Sequence, residues 1–300
     1  MSRAHELLPI PPRRPEPEVY PGMELTDEHR SALDIAERTV PGPAGAPDVR
    51  VLVYRPRDTP ERLPLVVSIH GGAFCLMSAD TFAAMDAGWS MRHRCVVVSV
   101  DYRLAPEHPF PAAPEDCYAA LCWAVGAADE LGADAERVVV TGGSAGGALT
   151  AAVCLMARDR NGPRIAHQAL MIPVLDDRLD TSSMRQAIDA PGFSGRAAEG
   201  MWLHYLGEHY DRSATSPYAA PARAESLAGL PPATIQTNGL DPLRDEGIAY
   251  AQRLLAEGIS VELHNIPGAY HGAPPLNAAA AMRGAALFDA AIGEAVRGER

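Results

Sequence analysis

Seven short apolar runs, most of them rich in β-branched residues, limit what this chain can fold into. They are Val51–Tyr54, Leu65–Ile69, Val96–Val100, Val138–Val140, Ala169–Ile172, Ala233–Thr237 and Val261–Ile266. Helical stretches lie between most of them, near residues 81–93, 115–131, 145–158, 243–257 and 277–296. Strands that are apolar throughout, rather than alternating, are covered on both faces. Alternation with helices therefore predicts an α/β protein with a mostly parallel sheet. Such sheets carry their functional groups in loops at the carboxyl ends of strands.

Two regions depart from the alternation. A Pro-rich N-terminal arm leads into residues 26–38, which read as one helix capped by Thr26. Residues 176–230 hold acidic and Ser-rich turns, a helix near 195–209 and then Pro- and Ala-rich coil. That is too much chain for one crossover, and an insertion over a strand-end site makes a lid or cap. The expected layout is an arm over 1–45 that contributes to the cap, a core over 46–175 and 231–300, and a cap insertion over 176–230.

Composition narrows the chemistry. All 26 basic side chains are arginine, so there is no lysine for a phosphate-cradling P-loop, a pyridoxal Schiff base or a Ser-x-x-Lys hydrolase. A net charge of −12, with scattered arginines, argues against nucleic acid or an anionic membrane as partner. The five cysteines form no C-x-x-C pair and fall mostly in apolar runs, which suits a reducing compartment and a cytoplasmic location. The N-terminus has no apolar h-region of a signal peptide. The twenty uncharged residues from Val138 to Ala157 are of membrane-spanning length, but glycines at 142, 143, 146 and 147 divide them into a strand and a helix.

Those glycines frame the first chemical signal. The run Thr141-Gly142-Gly143-Ser144-Ala145-Gly146-Gly147 is G-x-S-x-G between a strand and a helix, the setting of a strained nucleophile turn. A serine hydroxyl needs a base. Of ten histidines, His271 follows the last strand through the turn Pro267-Gly268; apart from His70, the others fall on the arm, helices, strands or a Pro-rich loop. The acid is best placed at Asp241, in the loop after Ala233–Thr237, with Asp245 as support; Asp245 and Glu246 fall in the first turn of the next helix. His70-Gly71-Gly72-Ala73-Phe74 follows the strand Leu65–Ile69, and its glycines let backbone N–H groups approach an oxyanion, with Ala145 N–H completing the hole. His70 lacks companions at metal-ligand spacing, and it is expected to shape this loop.

Together with Asp101-Tyr102-Arg103-Leu104-Ala105-Pro106-Glu107, Asp241-Pro242-Leu243-Arg244-Asp245-Glu246-Gly247 and His271-Gly272, these motifs resemble the bacterial hormone-sensitive-lipase-like esterases over roughly residues 50–296. The resemblance implies an α/β-hydrolase fold with an eight-stranded, mostly parallel sheet flanked by helices and a helical cap. It implies a carboxylic ester hydrolase with no cofactor and no metal. Ser144, Asp241 and His271 match the family's triad, and Gly71, Gly72 and Ala145 its oxyanion hole. Gly143, where the family often has Asp or Thr, and Ala73 depart from its pattern without removing a backbone donor. Phe74, Trp202, Leu203, Tyr205 and Leu206 are candidates to line an acyl pocket, although a helix packing its apolar face on the core fits them equally.

The expected partner is a small-molecule acyl ester of short to medium chain; a homodimer is compatible with the family. The same machinery serves a deacetylase or lactonase of a small metabolite. A non-catalytic ligand-binding member is the reading from another class, and the presence of His271 speaks against it.

Overall fold

A computed structural model describes residues 23–207, 210–272 and 278–298. The first part of the arm, His5 and His209 lie outside the described residues. Thr26 caps a helix as expected, its Oγ accepting from His29 N–H at 3.2 Å, but that helix, α1 (Asp27–Ala32), is short. The expected continuation to residue 38 is instead a strand, β1 (Leu33–Val40). It pairs antiparallel with β2 (Val49–Pro56) from Leu33↔Pro56 to Val40↔Val49. An isolated short helix is marginal, and a full ladder against a core strand outweighs its propensity.

All seven apolar runs are strands. After β2 come β3 (Leu63–Ile69), β4 (Val96–Asp101), β5 (Ala133–Gly143), β6 (His167–Met171), β7 (Ala233–Asn238) and β8 (Val261–Ile266). The sheet has eight strands in the order β1-β2-β4-β3-β5-β6-β7-β8, antiparallel where β2 meets β1 and β4 and parallel elsewhere. Alternate residues bury on opposite faces. Val51, Val53, Leu65, Val67, Val98 and Val140 meet α3 (Ala112–Gly126) and α5 (Ala145–Asp159) through Leu121 and Leu149. Tyr54, Val66, Val97 and Val139 meet α2 (Ala83–His93) and α9 (Ala278–Arg297), whose Trp89 and Phe288 rings lie 6.4 Å apart. Each fully buried aliphatic side chain in these layers contributes about 1.5–3 kcal/mol relative to exposure.

The expected helix over 115–131 is divided: α3 ends at Gly126, and α4 (Ala128–Leu131) follows. The expected helix after β7 is α8 (Arg244–Ala256), packed on β7 through Tyr250 and Leu254. The uncharged stretch is the end of β5 and most of α5, almost wholly buried, so its lack of charge reflects the core. Among the described residues, no helix is long and apolar enough to cross a membrane.

Between β6 and β7 the chain makes α6 (Ser182–Gln186), α7 (Gly195–Leu206) and two 3-10 turns, Arg212–Ala214 and Pro221–Arg223. α7 stops before the expected position 209, where Gly207 at φ 87° takes the chain out of the helix. Its apolar face (Met201, Trp202, Tyr205 and Leu206) joins the same core cluster as Phe74.

Candidate active site

β5 runs directly into Ser144, which has φ 57° and ψ −119° and caps α5. A non-glycine residue at positive φ is strained, and the surroundings enforce it here. Ser144 N–H donates to the Met171 carbonyl at 2.8 Å, and the Ser144 carbonyl accepts from Gly147 N–H at 3.0 Å. The turn also needs a missing side chain. A Cβ on Gly146 would stand 2.0 Å from the Ile69 carbonyl oxygen and 2.6 Å from that of His70.

The turn presents the Ser144 hydroxyl to His271, with Oγ 2.8 Å from Nε2. On the other side of the ring, His271 Nδ1 lies 2.7 Å from Asp241 Oδ2. A carboxylate only accepts, so Nδ1 carries the proton and bare Nε2 accepts from the serine. Asp241 is 1% exposed, and its Oδ1 accepts Leu243 N–H at 2.9 Å. The loops bearing Asp241 and His271 are laced together: Gly239 N–H donates to the Ile266 carbonyl, Leu240 N–H to that of Ala269, and the Asn238 amide to that of Tyr270 at 2.8 Å. Sequence reasoning missed Asn238, although it ends the strand that carries the acid.

The loop after β3 abuts Ser144. A Cβ on Gly71 would lie 3.6 Å from Ser144 Cβ, and Gly72 has φ 110°. Ala145 is the first residue of α5, where a backbone N–H has no acceptor within the helix. His70 donates from Nδ1 to the Gly71 carbonyl at 2.7 Å, and burial holds its imidazole below the usual range, hence neutral. Tyr102 supports this histidine: the two rings stack at 4.1 Å, and the phenol donates to the His70 carbonyl at 3.0 Å. The motif containing Tyr102 was evident in the sequence, but nothing there paired it with His70.

The pocket candidates fall differently. Phe74 and Trp202 are each 0% exposed, with rings 6.1 Å apart, and Leu206 is 4% exposed; Leu203 is half-buried. Tyr205 stacks on Phe74 at 3.8 Å, so this face of α7 packs on the loop after β3 as core. The aromatic that reaches the site is Phe193, half-buried in the loop between α6 and α7, whose ring lies 4.8 Å from that of His271 at 38°. No local pattern marked it.

Other conspicuous groups are structural. Arg103 grips the buried Asp116 with Nε and Nη2 at 2.8 and 2.7 Å. Buried Glu246 accepts Leu175 N–H at 2.6 Å and Asp176 N–H at 3.2 Å, tying the segment after β6 to α8, and burial holds its carboxyl well above the usual range.

A strained serine, an imidazole and a buried carboxylate in this strand order mark a known family, and comparison decides which one. The profile of a family described as alpha/beta hydrolase fold matches residues 66–274. The chain belongs to the α/β-hydrolase family. Within it, the hormone-sensitive-lipase-like group expected from the motifs stands. The chain is 42% identical over 242 residues to carboxylesterase NlhH of Mycobacterium tuberculosis, covering 80% of this chain and 75% of that protein. It superposes on a bacterial heroin esterase with a TM-score of 0.86 at 43% identity, covering 88% and 85% of the two chains. The esterase LipW of Mycobacterium marinum gives a TM-score of 0.80 at 42% identity, with 89% and 84% covered.

Proposed function

We propose that this α/β hydrolase is a serine carboxylic ester hydrolase acting on short- to medium-chain acyl esters through an acyl-enzyme. The observation that carries this reading is the unbroken relay from Ser144 Oγ to His271 Nε2 at 2.8 Å and from His271 Nδ1 to Asp241 Oδ2 at 2.7 Å. Ser144 attacks the ester carbonyl while His271 takes its proton, and Asp241 stabilises the imidazolium. Backbone N–H groups of Gly71, Gly72 and Ala145 bind the oxyanion, aided by the positive end of α5. The imidazolium protonates the leaving alcohol, and water, deprotonated by the same histidine, then releases the acid.

The cap reading joins this proposal for residues 176–230, over a core of 46–175 and 231–300 that β1 (Leu33–Val40) of the arm extends at the sheet edge. Its support is the reach of the insertion to both halves of the site, through Phe193 on His271 and Tyr205 on Phe74. The five cysteines are free thiols, which suits a cytoplasmic location. A homodimer is the proposed assembly: β8 is an edge strand with Leu263 38% exposed, and neighbouring α9 leaves Met282 and Leu287 72% and 42% exposed. Light scattering tests that assembly.

The activity test is hydrolysis of p-nitrophenyl acetate and butyrate without added metal. The expected result is turnover that EDTA leaves unchanged. Absence of turnover, or its loss to EDTA, overturns the proposal.

A further inference from the structure

The insertion is fastened to the acid of the triad through one buried hydroxyl. Ser183, in α6, is 3% exposed. Its Oγ donates to the Pro242 carbonyl at 2.7 Å and accepts Asp245 N–H at 3.1 Å, while its own N–H donates to the Asp245 carboxylate at 2.7 Å. The Pro242 carbonyl belongs to the same planar peptide as Leu243 N–H. That N–H donates to Asp241 Oδ1 at 2.9 Å, and Asp241 Oδ2 holds His271 Nδ1 at 2.7 Å. A rotation of this peptide turns the carboxylate with it. The path from insertion to nucleophile is therefore continuous: Ser183, the Pro242–Leu243 peptide, Asp241, His271, Ser144.

We propose that Ser183 is a positioning residue for hydrolysis: by fixing the Pro242–Leu243 peptide it orients the Asp241 carboxylate toward His271. The inference rests on the triad reading and deepens it. The insertion then does more than cover the site, because one stretch of it holds the acid through Ser183 and packs Phe193 on the base. The charged groups around the acid loop are otherwise engaged. Arg244 pairs with Asp245 at 2.7 Å and donates to the Gly239 carbonyl at 3.0 Å, and Glu246 accepts from Leu175 and Asp176. None of these bonds reaches the Pro242 carbonyl.

The test is kcat and KM for p-nitrophenyl butyrate across pH in wild type, Ser183→Ala, Ser183→Thr and Thr215→Val. Misplacement of a catalytic group predicts a fall in kcat of roughly 10- to 100-fold for Ser183→Ala, with KM little changed. The kcat/KM profile across pH departs from wild type, because the Asp241 carboxylate no longer sits squarely on His271 Nδ1. Ser183→Thr, which keeps the hydroxyl, restores most of kcat and the profile. Thr215 donates to Asp177 at 2.8 Å within the insertion, so Thr215→Val lowers stability without moving the profile. If Ser183→Ala does not fold, Ser183→Cys keeps the shape, weakens the donor and carries the same comparison. Wild-type kcat and profile in the Ser183 variants, or an equal shift in Thr215→Val, overturns the inference. Wild-type protein without turnover, or Ser144→Ala with it, strikes the triad reading instead.

Discussion

Tyr102 and His70 form one unit at the loop after β3, with rings stacked at 4.1 Å and the phenol 3.0 Å from the His70 carbonyl oxygen. The arrangement couples the motif after β4 to the loop after β3, whose glycines adjoin Ser144. Tyr102→Phe keeps the stack and removes only the phenol's hydrogen bonds, to the His70 carbonyl and, at 3.4 Å, to that of Gly71, the shorter worth about 1 kcal/mol. A modest drop in thermal stability is expected, together with a fall in kcat at nearly constant KM, because oxyanion donors act in the transition state. Steady-state kinetics beside a melting curve decide it. A lower melting point with wild-type kcat would mean that the pair only packs.

The close approach of α5 to the end of β3 makes Gly146 the least replaceable glycine of the nucleophile turn. Gly146→Ala would force backbone apart at the Ile69 carbonyl, which lies 2.0 Å from the added Cβ. A stability loss of roughly 1–3 kcal/mol and a large loss of turnover are expected, as for other overpacked sites. Gly126→Ala is the contrast, since nothing lies within 4 Å of a Cβ there and α3 gains propensity. Denaturant midpoints and ester hydrolysis of both variants test the pair; equal tolerance at the two positions would contradict the packing argument.

Asp86 is buried under the sheet, where Ser68 Oγ donates to it at 2.7 Å, and burial pushes its carboxyl up to about 7. The unfolded chain releases this proton near the ordinary aspartate value of about 3.9. Between these values the folded state binds more protons than the unfolded state, so this group's contribution to stability falls as pH rises from about 4 to about 7. Asp86→Asn cannot ionise and keeps an acceptor for Ser68. The melting-temperature difference between variant and wild type is therefore expected to grow in the variant's favour from pH 5 to pH 8. A difference independent of pH contradicts this account.

Much of the fold is legible in the sequence for a specific reason. Parallel strands buried on both faces are almost wholly apolar, as Leu65–Ile69 and Val96–Val100 are apart from Ser68 and Ser99, and few other structures look like that. β1 escaped notice because it is an edge strand: Asp34, Glu37 and Arg38 are polar, most of its residues are at least partly exposed, and only the ladder to β2 makes it extended. Ser144, Asp241 and His271 were findable because each sits in a strand-end turn punctuated by glycine or proline. Ser183 and Phe193 were not, since their partners Pro242 and His271 lie far along the chain and no local pattern records a long-range contact. The aromatic stripe on α7 fits either a pocket or a core, and Phe74 stacked on Tyr205 places it in the core.

The proposed chemistry turns on Ser144 as the nucleophile that His271 activates for ester hydrolysis. The most direct measurement is labelling of the intact protein with a fluorophosphonate, followed by mass spectrometry of the modified peptide and parallel assay of p-nitrophenyl butyrate hydrolysis. One label per chain is expected, on Ser144, with loss of turnover in step with labelling and neither label nor turnover in Ser144→Ala. A label on another residue, or a Ser144→Ala variant that still hydrolyses the ester at the wild-type rate, would contradict it.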